Sequence, residues 1–183
     1  VTGAGVATYP PFDPDVERYA ATTTPETAGS LTITATTTDP AGRIWIDGAL
    51  DPDGTATVTG LEDGDEVAVF IDDAAGRSVH AVVYLPHGFP ALTTPVASSR
   101  ATPGHVLITP NRFASDSDTY EAAVDARGVP VFVHANRDSA SQDFKPTDFG
   151  GYTVFRDDVS GDAAGSRLLQ LDEAFEPVRE IRN

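Results

Sequence analysis

Short β-branched or apolar runs closed by Asp, Gly or Pro succeed one another along this chain, and no amphipathic helical stretch of convincing length interrupts them. That pattern restricts the fold to all-β architectures, because side chains alternating with period two bury one face of a sheet while the turn residues reverse the chain. Between Tyr120 and Ile181 it makes three hairpins. The run 120–125 turns at Arg127 and Gly128 into 129–134. The run 151–155 leads through a polar stretch to 166–171, and Asp172, Glu173 and Ala174 turn that strand into 175–181. Consecutive antiparallel strands at this spacing form a propeller blade or one sheet of a sandwich.

Residues 9–85 carry an earlier group of runs. The stretch 31–36 alternates large and small residues, Ile44, Trp45 and Ile46 precede a turn at Asp47 and Gly48, and 55–59 ends at Gly60. The run 66–71 meets 78–84 across a turn in which Gly76 supplies the positive φ that a hairpin requires. Five or so strands in this span have the density of a β-sandwich. Pro86, Gly88 and Pro90 break the pattern and, with the Ser and Thr residues up to Pro103, make a stiff connector. The expected organisation is therefore a β-sandwich over 1–86, a connector over 87–103, and a blade-type antiparallel sheet over 104–183.

Charge narrows the partners. The chain holds 28 Asp and Glu against 12 Lys and Arg, a net charge of -16, and Lys145 is its only lysine. Such a field repels bare phosphate, which excludes nucleic acid and anionic lipid as surface partners. A hydrophobic fraction of 40% argues for a packed core over disorder. Dense carboxylates suit high salt, where their repulsion is screened over about 3 Å at 1 M, so a halophilic setting is expected, the alternative being an acidic surface that serves solubility in ordinary buffer. With no cysteine, disulfides and thiolate metal sites are excluded. No apolar run approaches the length of a membrane-spanning helix. The sequence has no methionine and begins at Val1, from which an exported protein is expected, extracellular or at the cell surface, with its signal peptide removed.

Candidate functional residues are few. A nucleophilic histidine needs a desolvated pocket, an orienting partner and, for a sulfate, cations; no motif assembles these around His80, His87, His105 or His134, so structural or surface roles are expected. His134 with Arg137 and Lys145 is the best sulfate-facing cluster, and a solvated loop is the favoured role for it. Asp51 with Asp53 and Gly54, the run from Asp63 through Asp65 to Glu66, the pair Asp72 and Asp73, and Asp157 with Asp158 and Asp162 invite calcium. None completes the spacing of a calcium loop, and all are expected to be turn residues. No metal or cofactor is expected. Trp45, between two isoleucines in a strand, is expected in the core in preference to a sugar-stacking platform.

Two resemblances add to these observations. Phe12, Asp13, Pro14, Asp15, Val16 and Tyr19, then 44–48, then Gly60 to Asp65 leading into two strands joined at 73–76, resemble the cadherin-like β-sandwich modules of secreted proteins. The second half resembles the start of an arylsulfotransferase-type β-propeller, through 103–110, 124–132, Asp143-Phe144-Lys145, 150–155, and Leu169 to Asp172 with the strand after it. Phe132 stands where that pattern often carries tryptophan. The resemblance implies an enzyme moving a sulfuryl group from an aryl ester to a phenol with a histidine nucleophile, whose reactive residues lie in later blades. It assigns no catalytic residue here and implies a partner, either the remainder of the propeller or another chain completing the sheet. The alternative is a structural or adhesive surface subunit, a homo-oligomer assembling through exposed strand edges.

Overall fold

The computed structural model describes residues 1–94, 104–110, 118–158 and 165–182. Among these the fold is all-β, with one 3-10 turn at Pro25–Thr27 and no sheet closed into a barrel. Contacts divide the chain into two compact units, Val1–Ala97 with Arg127–Val129, and Ser98–Ala126 with Pro130–Asn183. The part of the expected connector at 95–103, including Pro103, lies outside the described residues.

The first unit contains β1 (Ala7–Tyr9), β2 (Arg18–Thr22), β3 (Ser30–Thr34), β4 (Arg43–Ile46), β5 (Ala49–Leu50), β6 (Thr55–Thr59), β7 (Glu66–Asp73) and β8 (Gly76–Tyr84). Six of them form one sheet in the order β1-β2-β8-β7-β4-β5, while β3 and β6 pair as a separate ribbon. Two turns follow from their residues. Asp47 and Gly48 have φ of 51° and 77° and connect β4 to β5 as a two-residue loop with both positions left-handed. Gly76, at φ 124°, opens β8 opposite Asp73. The parallel pairing of β2 with β8 was not legible from hairpin signals, which report only neighbours in sequence.

Leu31 and Ile33 of the ribbon share one core cluster with Ile44, Ile46, Val67, Val69 and Val82 of the large sheet. Each such side chain, fully buried, contributes about 1.5–3 kcal/mol. Trp45 corrects the expectation of a core tryptophan. Ile44 and Ile46 point inward, so period two turns Trp45 to the opposite face, where it is half-buried and outside the cluster. Of the opening aromatic residues, Tyr19 enters β2 and is buried, whereas Phe12 precedes the strand and is 77% exposed.

The second unit contains β9 (Val106–Ile108), β10 (Thr119–Val124), β11 (Pro130–Asn136), β12 (Ser139–Pro146), β13 (Tyr152–Asp158), β14 (Arg167–Leu171) and β15 (Pro177–Arg182). The order β11-β10-β9 makes a three-stranded sheet, and β12-β13-β14-β15 a four-stranded one, both antiparallel throughout. The three expected hairpins form as β10–β11, β13–β14 and β14–β15. Strand β12 is the addition. Its sequence from Ser139 to Pro146 is polar with few strand formers, and a bulge between Gln142 and Lys145, with Asp143 at φ 53°, breaks its alternation. Pairing with β13 supplies the ladder that propensity does not.

Phe144, Val154, Leu169 and Leu171 of the four-stranded sheet form a core against which Leu107 of β9 and Phe132 of β11 pack. At the β14–β15 turn Phe175 adopts φ 66° and its ring lies between Phe132 at 4.3 Å and Tyr152 at 4.5 Å, nearly parallel to both. Gly151, at φ 71°, lets β13 start against β14; a Cβ there would stand 2.2 Å from the Leu171 carbonyl oxygen.

Candidate functional site

The four histidines are scattered. His80 lies on β8 and His87 in the turn after it, with Nδ1 3.4 Å from the Thr23 carbonyl oxygen. His105 is exposed just before β9, and His134 is exposed on β11. Arg137 sits at the bend into β12, while Lys145 lies six positions beyond Ser139 along that strand, a separation of roughly 20 Å at strand rise. Lys145 is held by Asp143 at 2.5 Å on the exposed side. Its position on a strand, not in a loop, keeps it from the bend that carries Arg137.

His80 has the most structured surroundings of the four. A cavity of about 440 Å³ in the first unit is lined by Phe12, Tyr19, Ile33, Val69, Val82 and His80 among others, with no Lys or Arg. Phe12 stacks on Tyr19 with centroids 5.9 Å apart, and both rings flank His80 at 6.3–6.4 Å. His80 Nδ1 is 2.8 Å from the Val16 carbonyl oxygen, so a neutral ring carries its proton there and leaves Nε2 as the acceptor. The Tyr19 hydroxyl donates to the Asp13 carbonyl and accepts the Asp13 N–H. Among the described residues its lining is mainly apolar and holds no Lys or Arg to face a sulfate.

Asp51 and Asp65 act as turn residues as expected, whereas Glu66, Asp72 and Asp73 lie on β7 and Asp157 and Asp158 on β13, so those acids correct the expectation. Asp51 Oδ1 accepts the N–H groups of Asp53 at 3.0 Å and Thr55 at 3.2 Å. Asp65 accepts the Glu62 N–H, and Glu66 makes two hydrogen bonds with Arg18, at 2.7 and 3.0 Å. Asp73 accepts from Thr37 Oγ1 at 2.7 Å and from the Ala75 N–H at 2.9 Å, bonds that hold its carboxyl below the usual range. Asp72 pairs with Arg77, and Asp157 accepts the Ser166 hydroxyl. Asp162 lies outside the described residues. Among the described residues no three of these acids and histidines converge as metal ligands.

The most elaborate polar constellation was not anticipated. Glu121, in the middle of β10, is completely buried, and Arg156 of β13 reaches it with Nε at 2.8 Å from Oε1 and Nη2 at 2.9 Å from Oε2. Ser141 Oγ at 2.6 Å and Asn136 Nδ2 at 2.8 Å also donate to Oε1. Thr119 completes the group, donating to the Ser139 carbonyl at 2.8 Å. Burial alone would push the Glu121 carboxyl up, yet the bonds from Arg156 and Ser141, the Arg156 charge and the Asn136 bond hold it below its ordinary value. The signal was present in the sequence: a lone acid inside the apolar run 120–124 must find a cation or neutralise. Oε1 accepts from residues of β11, β12 and β13 and Oε2 from Arg156, so the group locks the two sheets of this unit together.

No protein-family model, curated protein or solved structure matches the chain.

Proposed function

We propose that this chain is a non-catalytic part of an exported, salt-adapted arylsulfotransferase-type protein: a cadherin-like β-sandwich followed by the first blade region of its propeller. The observation that carries the reading is the strand order of the second unit, β9 to β15 running antiparallel without a crossover as three strands and then four. The two sheets share a core through Leu107 and Phe132 and an ion pair between Glu121 and Arg156. Successive meanders stacked in this way are how a propeller is assembled, and a ring takes typically 4–8 four-stranded blades. Sulfuryl transfer then belongs to residues supplied elsewhere in the ring. The absence of Lys and Arg from the His80 cavity is consistent with that division.

The test is an assay with nitrophenyl sulfate as donor and a simple phenol as acceptor. The native protein is expected to release nitrophenolate in an acceptor-dependent manner, and the 183-residue chain alone to release none. A native protein without transfer, or an isolated chain that transfers at the native rate, overturns the proposal.

One observation favours assembly through strand edges as a second reading. Strand β15 pairs with β14 and all six of its residues are exposed, including Val178 at 59% and Ile181 at 46%. Such an edge accepts a further strand, from the same ring or from another copy.

A further inference from the structure

We infer that the outer face of the six-stranded sheet binds a neutral hexopyranose chain across Trp45. Residues opposite one another in a ladder share a face. Leu50 pairs with Trp45, Trp45 with Phe70, and Phe70 with Val79, so these four form one continuous transverse row across β5, β4, β7 and β8. The row lies outside the core cluster. Leu50 is 58% and Val79 42% exposed, with Trp45 and Phe70 half-buried between them. At a strand spacing near 4.8 Å the row is about 14 Å long, enough for more than one sugar ring.

Two positions along the same strands, and therefore on the same face, runs a second row. Arg43 pairs with Asp72 and Asp72 with Arg77, the last two also joined as an exposed ion pair at 3.8 Å. The rows are about 7 Å apart by strand rise. A pyranose presents an apolar C–H face and a rim of hydroxyls. An aromatic row beside a row of guanidinium and carboxylate groups satisfies both at once, the ring covering Trp45 and the rim hydrogen-bonding to Arg43 and Asp72. A protein partner would have to bury that charged row, and interface cores are depleted in charge. The net charge of -16 selects against sulfated or uronic polysaccharides. An uncharged glycan fits both rows.

Native affinity electrophoresis through gels containing a soluble β-glucan, an α-glucan, a mannan or a galactan tests this on the full chain. Retardation is expected in at least one gel, with a blue shift of the emission of the single tryptophan when oligosaccharides of the retarding polymer are added. Trp45→Ala, checked for an unchanged circular dichroism spectrum, is expected to weaken retardation at least tenfold, and Arg43→Ala several-fold. Should Trp45→Ala fail to fold, the emission shift of the unmodified chain and the Arg43→Ala gels still decide the matter. Retardation in none of the four gels overturns the inference, as does retardation unchanged in either variant. A dimer that Trp45→Ala converts to monomer without any retardation also overturns it, assigning the face to a second copy.

Discussion

The guanidinium of Arg156 on β13 grips both carboxylate oxygens of Glu121 on β10, at 2.8 and 2.9 Å, and thereby ties a three-stranded sheet to a four-stranded one through a completely buried acid. Removing either partner leaves the other buried and uncompensated, which costs about 3–5 kcal/mol. Arg156→Ala and Glu121→Ala are each expected to lower the unfolding free energy from urea titration by that order, and the double variant by less than the two together. Additive losses would mean that the pair is not coupled.

The same pair sets a pH dependence. The folded-state pKa of Glu121 is below its unfolded value of about 4.3, so its stabilisation is complete above that value and disappears as pH falls through the lower, folded-state pKa. Glu121→Gln, which keeps the shape, is expected to flatten the stability curve below pH about 4.3 relative to the parent. Parallel curves in a urea titration across that range would contradict the assignment.

Phe175 holds a left-handed backbone at φ 66° while its ring is sandwiched between Phe132 and Tyr152. Each ring pair adds about 0.5–1.5 kcal/mol beyond area burial, which offsets a backbone cost of about 1–3 kcal/mol. Phe175→Ala keeps the strain and loses both stacks, whereas Phe175→Gly relieves the strain. The glycine variant is expected to be the more stable of the two by thermal melting, with both below the parent.

Ile46 and Trp45 are neighbours with opposite fates. Ile46 is 2% exposed in the core, and Ile46→Ala is expected to cost about 2–5 kcal/mol. Trp45→Ala, on the outer face, is expected to cost distinctly less, and acrylamide is expected to quench Trp45 emission in the folded state. A tryptophan shielded from acrylamide would return it to the core.

Carboxylate repulsion at a net charge of -16 predicts a melting temperature that rises with sodium chloride toward molar concentrations, where screening falls to about 3 Å. A melting temperature that is flat or falling over that range would remove the salt-adaptation reading.

Strands bounded by strong turn chemistry were legible in the sequence, such as β4 before Asp47 and Gly48, or β14 before Asp172. Their alternation is a local property. Strand β12 was not legible, because its residues are polar and its stability comes from β13; neither was the β2–β8 parallel pairing, which joins segments distant in the chain. Two flanking isoleucines suggest burial of Trp45, while period two turns the residue between them to the other face. Arg156 carries no motif, and only the acid at Glu121 hinted that a cation had to be near.

Seven strands, β9 to β15, are proposed to belong to a ring that other strands complete. The intact mass of the native protein under denaturing conditions tests it most directly. A mass several times the 19.2 kDa of this sequence is expected, enough for the remaining blades, and a native mass close to 19.2 kDa would contradict the proposed ring.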